Sequence, residues 1–379
     1  MSRDRRRGGP RIALVHDWLT GMRGGEKVLE ALCELYPDAP LFTLVHVPGS
    51  VSETIERHRP RASWVSRLPG ARRAYRHLLP LYPSACETFD LDGYDLVLSS
   101  SHCAAKSVVR APRARHLCYC HTPMRYVWDQ RDAYFGPDRL GRAGARVLAP
   151  ALAWLARWDA ATAPRVDRYL ANSQHVARRI RRYYNRRAVV VPPPVDTGFY
   201  RPDGRPPGDF ALVVSALAPY KRLDLAVEAC RLAGIPLRIV GWGPEQKRLR
   251  ARAGDGVELL GTLSDEGIRE LYRGSAMVLL PGEEDFGIVP VEAQACGRPV
   301  VAAAAGGALE TVVDGMTGVL VTPGSAEALA EGIRRARATR FDPDALRQHA
   351  EAFERERFAT RIAAIVDETL AAGASPTTW

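Results

Sequence analysis

The chain lacks any apolar run long enough to cross a bilayer. The nearest approach, residues 147–156, is interrupted by Pro150 and followed by Arg157, and a spanning helix needs about 20 apolar residues. No apolar segment follows the arginines at positions 3, 5, 6 and 7. A secretion signal is therefore not expected, and residues 1–10 read as a frayed basic tail. Cysteine is scarce, with seven residues at no regular spacing, which excludes a disulfide framework and points to reduced thiols in the cytosol. Acidic residues fall short of basic ones, 43 against 53, for a net charge of +10.

That basic excess is concentrated. Twelve arginines lie between Arg139 and Arg187. A surplus of this kind suits nucleic acid, anionic lipid or phosphorylated substrates. No nucleic-acid-binding motif is present, nor the interleaved aromatics on which single strands stack, so nucleic acid is set aside. A second stretch, 67–81, mixes Arg72, Arg73, Arg76 and His77 with Leu78, Leu79 and Leu81. Such a mixture fits either a surface resting on membrane headgroups or a solvated basic face.

At 379 residues the chain is too long for one ordinary core, and two domains are expected. Short apolar strands alternate with helical stretches in two runs. The first run has strands at 11–16, 41–46, 95–100, 116–120, 168–171 and 189–191. The second has them at 211–215, 237–240, 257–260, 276–280, 299–303 and 318–321. Helices at 26–35, 223–232 and 264–272 separate some of these. Alternation of this kind implies parallel sheets covered on both faces, hence two doubly wound Rossmann-like α/β domains with ligands at the C-terminal strand ends and a central cleft between them. The proline-rich stretch 191–207 marks the boundary. The expected division is 1–10 tail, 11–192 first domain, 193–356 second domain, and a last helix within 357–379 packing back on the first domain.

Glu284 and Glu292 bracket the most informative segment, Glu-Asp-Phe-Gly-Ile-Val-Pro-Val-Glu. A buried strand precedes it and a helix starts near Gly287. The unpaired amides of Phe286, Gly287, Ile288 and Val289 at a helix start suit a phosphate. A rise of 1.5 Å per residue puts the two carboxylates roughly 10 Å apart, a span that matches the hydroxylated ends of a sugar nucleotide. Gly24 and Gly25 follow the first strand and open a helix, where a backbone can approach a ligand or simply turn. His121 ends a strand ahead of Thr122-Pro123 and is aimed by the extended chain before proline. His116, Cys118 and Cys120 share a strand face that His121 does not, which speaks against a metal site. Lys221 follows Pro219-Tyr220 and can neutralise a diphosphate; Arg222 is beside it. Gly241-Trp242-Gly243 has Gln246 where a dinucleotide fingerprint needs its third glycine, so an NAD oxidoreductase is disfavoured and a close-approach loop is expected. Gly306-Gly307 and Glu310 read as a turn and helix cap.

In order along the chain, these segments resemble the retaining glycosyltransferases of family 4, which have the GT-B fold. The resemblance rests on Val15-His16-Asp17-Trp18-Leu19, Arg23-Gly24-Gly25-Glu26, the segment from Cys120 to Asp129, Pro219-Tyr220-Lys221-Arg222, the segment from Val240 to Glu245, and Glu284 to Glu292. Its nearest branch is that of bacterial mannosyltransferases of surface polysaccharide assembly. The resemblance implies metal-independent transfer, with no cofactor, from a nucleoside-diphosphate sugar such as GDP-mannose to a glycan or lipid-linked acceptor. It assigns His121, Lys221 and Glu284 to catalysis. The donor falls to Gly24, Gly25, Lys221, Arg222, Gly241, Gly243, Glu284, Phe286, Gly287, Ile288, Val289 and Glu292. It implies that Glu284 holds the hexose and Glu292 the ribose. Ala216 departs from the family, where an arginine for the diphosphate commonly stands five residues before the lysine. Two other readings share the architecture: a sugar-nucleotide epimerase and a non-catalytic sugar-nucleotide-binding module. The expected location is cytoplasmic, peripheral at the inner face of the plasma membrane.

Overall fold

A computed structural model describes residues 9–372; of the basic tail expected over 1–10, residues 1–8 lie outside the described residues. Thirteen strands are described: β1 (Ile12–Leu19), β2 (Leu41–His46), β3 (Arg61–Ala62), β4 (Leu96–Ser101), β5 (Arg115–Cys120), β6 (Arg168–Ala171), β7 (Ala188–Val190), β8 (Ala211–Val214), β9 (Leu237–Val240), β10 (Val257–Gly261), β11 (Met277–Leu280), β12 (Val300–Ala303) and β13 (Gly318–Val321). They form a seven-stranded sheet in the order β3-β2-β1-β4-β5-β6-β7 and a six-stranded sheet in the order β10-β9-β8-β11-β12-β13. Every strand pairing within them is parallel. Strand order reverses beside β1 and again beside β8, so each sheet has a switch point, the place where doubly wound sheets commonly take ligands at their carboxyl ends.

The chain divides into two compact units. The first takes the chain up to Asn172, Val176–Val191 and the chain from Ala359 onward; the second takes Ser173–His175 and Pro192–Phe358. Each is a sheet flanked by helices, the doubly wound α/β arrangement expected. The two-residue strand β3 was not expected, because Arg61 and Ala62 make no apolar run. Strand β1 runs three residues past its expected end at His16, through the charged Asp17. Backbone amides satisfy that carboxylate, as described below, so burial there carries no unpaired charge.

In the second unit, alternate strand residues feed opposite layers. Ala211, Val213, Leu237, Ile239, Met277, Leu279, Val301 and Val319 join one core. Leu212, Val240, Val278, Leu280, Val300 and Ala302 join the other. A period of two with both faces apolar is what a sheet covered on both sides requires. All seven cysteines are buried and unpaired.

None of the described helices is long and apolar enough to cross a membrane. In the basic stretch 67–81, Tyr75 and Leu79 are core residues, and Leu68, Leu78 and Leu81 pack against that core. Arg72, Arg73, Arg76 and His77 stay outside. The helix Pro137–Ala161 differs: Val147 is 82% exposed, Trp154 45% and Leu140 44%, beside the exposed arginines 142, 146 and 157.

Candidate active site

In the first unit the polar residues gather where β1, β4 and β5 end, at the switch point. Asp17 is fully buried. Its Oδ2 accepts the amides of His102 (2.6 Å) and Cys103 (2.9 Å), and its Oδ1 those of Ala104 (2.7 Å) and Ala105 (2.8 Å). Four charge-assisted hydrogen bonds fix the loop after β4. His102 Nδ1 also lies 3.2 Å from Asp17 Oδ2. Burial lowers the His102 pKa from its ordinary value, against the pull of Asp17.

His121 leaves the end of β5. Its Nε2 lies 2.8 Å from Ser100 Oγ, and Ser100 Oγ lies 3.1 Å from His16 Nδ1. The Asn172 side-chain amide donates to the His121 carbonyl at 3.0 Å. Burial, with His102 and His16 close by, pushes the His121 pKa well down. Gly25, at the start of the helix Gly24–Leu35, covers this group: a methyl there would lie 3.7 Å from His121 Nε2 and 3.8 Å from His16 Cε1. That is ordinary contact, so a methyl at Gly25 would fill the space above the histidines without a clash. Glu26 follows in the same first turn, 3.9 Å from His16 Nε2. Burial works to raise the Glu26 pKa, but His16, Arg23 and His102 together outweigh it and the net shift is downward.

His116 is a core histidine. Its Nε2 meets Ser99 Oγ at 2.8 Å and its Nδ1 the Arg165 carbonyl at 3.2 Å, and burial lowers its pKa to about 4. Cys118 and Cys120 face a neighbouring core. Among the described residues no three His, Cys, Asp or Glu side chains group as a metal site.

In the second unit the corresponding loops follow β8, β9, β11 and β12. Lys221 and Glu284, both half-buried, form an ion pair. Glycines make that meeting possible. A methyl at Gly282 would fall 2.6 Å from the Tyr220 carbonyl oxygen; at Gly307, 2.4 Å from Phe286 Cα; at Gly306, 2.2 Å from the Glu284 carbonyl oxygen. Gly306 also has φ of +59°, a left-handed conformation that favours glycine. The Gly307 amide donates to the Glu284 carbonyl at 2.8 Å. The pair Gly306-Gly307 is thus a cradle for the Glu284–Phe286 backbone, a role that the turn-and-cap expectation did not contain.

Gly287 precedes the helix Ile288–Ala295 with φ of +88°. Ile288 and Val289 are half-buried in its first turn. Pro290 supplies no amide, so only Gly287, Ile288 and Val289 can offer N–H groups there. The Phe286 side chain enters the core, 5.5 Å from the Phe353 ring, leaving its backbone alone for a ligand. Glu292 is buried and accepts the Tyr272 hydroxyl at 2.9 Å. Arg222 does not turn toward Lys221; its Nε and Nη2 grip Asp224 at 3.1 and 3.2 Å. Gly241 and Gly243 do permit a close approach, but to protein backbone: methyls there would strike Ser215 and Leu217 carbonyl oxygens at 1.8 and 2.5 Å. Ala216 is exposed between those two contacts.

Of the expected site residues, the structure joins Lys221 to Glu284 and Gly25 to His121. It keeps Glu292 on Tyr272 and Arg222 on Asp224. Sequence reasoning passed over Asp17, Glu26, Ser100 and His102. The first two lie inside segments already singled out, and the others end a serine run at the switch point.

The family profile described as Glycosyltransferase Family 4 matches residues 6–199, and that described as Glycosyl transferases group 1 matches residues 203–353. A D-inositol 3-phosphate glycosyltransferase of Geodermatophilus obscurus is 36% identical over 225 residues, 50% of each chain. The same-named enzyme of Mycolicibacterium smegmatis is 35% identical over 181 residues, 41% of this chain and 42% of its own. The chain spans half or less of the length of these curated relatives. Among solved structures, Anabaena HepE in complex with UDP and glucose superposes with a TM-score of 0.72 at 23% identity, covering 95% of this chain and 100% of that one. The sucrose-phosphate synthase of Thermosynechococcus elongatus gives 0.71 at 21% identity, covering 96% and 100%.

Proposed function

Because the chain belongs to glycosyltransferase family 4, we propose that it transfers a hexosyl group from a nucleoside-diphosphate sugar to an acceptor hydroxyl with retention of configuration. The observation that carries this reading is the Lys221–Glu284 ion pair, set on glycine-supported loops at the carboxyl ends of β8 and β11. As the glycosidic bond breaks, negative charge grows on the leaving phosphate. Lys221 and the first-turn amides of Gly287, Ile288 and Val289 oppose that charge without moving far. Donor binding exchanges partners within the pair: the ammonium turns to the diphosphate and the Glu284 carboxylate to sugar hydroxyls. Glu292 takes the ribose after its Tyr272 bond is shared, and His121 contacts the hexose. The leaving phosphate takes the acceptor proton, so no protein nucleophile is required.

The proposed donor is GDP-mannose and the acceptor a lipid-linked glycan in surface polysaccharide assembly. UDP-glucose is the second reading, favoured by the UDP and glucose bound to HepE. The exposed Leu140, Val147 and Trp154 beside arginines support docking of this helix on an anionic membrane. A thermal-shift panel of nucleoside diphosphates and their sugars tests the donor. A larger shift with GDP than with UDP supports the first reading, the reverse order the second, and no shift with either overturns both. Co-sedimentation with anionic vesicles at low salt and release at high salt is expected of the membrane contact; no sedimentation at low salt removes it.

A further inference from the structure

We propose that Glu26, His16 and Ser100 form a buried relay that decides which ring nitrogen of His121 carries the proton. The inference rests on the reading that His121 meets the donor sugar. His16 and Ser100 have no exposed surface and Glu26 is nearly as buried. His16 Nε2 finds no hydrogen-bond partner and faces the Glu26 carboxylate at 3.9 Å. A bare lone pair at that nitrogen would oppose a buried anion, so the proton of neutral His16 belongs on Nε2. Its Nδ1 is then an acceptor and takes the Ser100 hydroxyl proton across 3.1 Å. A serine oxygen has one proton to give and lone pairs to receive. Ser100 Oγ therefore accepts from His121 at 2.8 Å, which puts the His121 proton on Nε2. The other nitrogen, Nδ1, is left as a lone pair able to accept a sugar hydroxyl.

The order of the relay depends on one proton. A second proton on His16 would occupy Nδ1 and turn the Ser100 hydroxyl toward His121 Nε2, moving the His121 proton to Nδ1. His121 would then donate where it had accepted. The charged and titratable groups around the relay are Glu26 and Arg23 at the helix start, Asp17 on β1, and His102 after β4. Glu26, His16 and Ser100 are positioning residues, acting only through the His121 ring.

The direct test is nitrogen NMR of the full chain labelled with 15N-histidine, read at about pH 8, above the ordinary imidazole range. The expected result is His121 with Nε2 protonated and Nδ1 bare. His121 protonated at Nδ1 instead overturns the relay. Ser100→Ala and Glu26→Gln are each expected to bring both His121 tautomers into view; an unchanged tautomer in both overturns it. Glu26→Gln keeps side-chain volume, so it serves if Ser100→Ala does not fold. In steady-state transfer each variant should lower kcat about tenfold with little change in KM. A purely structural role would instead lower the folded fraction and leave the remaining protein's tautomer as in the wild type. The NMR reading needs no donor, so it stands apart from failure of the nucleotide panel.

Discussion

The two units share a strand order and a switch point, yet they hold their polar residues by opposite means. In the first, side chains and amides lock one another: Asp17 takes four amides, and His16, Ser100 and His121 form a chain. In the second, backbone packs on backbone through Gly241, Gly243, Gly282, Gly306 and Gly307, and the side chains of Lys221 and Glu284 are held by their ion pair with each other. The first arrangement is finished before any ligand arrives. The second is a rigid frame carrying a pair that a charged ligand can divide.

The difference can be broken most severely at Asp17. Asp17→Asn replaces an anion that receives four amides with a group that must point N–H donors at two of them. The expected loss is on the order of 3 kcal/mol, read by denaturant unfolding; a loss within experimental error would mean the loop after β4 is held otherwise. Acid attacks the same unit. The His116 pKa is about 4, below the unfolded value near 6.5. The unfolded chain therefore binds the extra proton first as pH falls. Stability is intact above about pH 6.5 and should drop by about 3 kcal/mol by pH 4 from this group alone. The slope with pH should flatten in His116→Gln, and an unchanged slope refutes the assignment.

In the second unit, substitution of the ion pair should spare stability and strike turnover. Lys221→Met is expected to cut kcat about a hundredfold while the unfolding midpoint stays near wild type; near wild-type turnover would remove Lys221 from the reaction. Gly307→Ala drives a methyl to 2.4 Å from Phe286 Cα, whereas Gly256→Ala meets nothing within 4 Å. The first should cost about 2 kcal/mol together with activity, the second little of either. Equal effects would dismiss the cradle. Smallest is Ala216→Arg, which restores a cation to an exposed loop position. Donor affinity should rise about threefold, and unchanged affinity by calorimetry would show that the loop does not meet the diphosphate.

The legibility of each unit follows from the same contrast. Strands announced themselves as short, mainly apolar runs, and twelve of the thirteen described strands could be read to within a few residues. The short β3 carries no such pattern. Glycine-rich loops were legible as places of close approach, but not what approached: Gly241 and Gly243 touch Ser215 and Leu217. Glu284 and Lys221 were singled out one by one, while their pairing depends on loops 63 residues apart. The relay behind His121 was invisible for the same reason. Ser100 is one serine among three, and only the register of β4 beside β1 and β5 selects it.

Asp17 has one more consequence. Successive amides curling around an anion are how a nucleotide-binding crevice receives phosphate, and residues 102–105 make such a nest. Here the chain has supplied the guest itself. With its own carboxylate already seated, the first unit has no vacancy for phosphate at that place, because a single tethered side chain fills it.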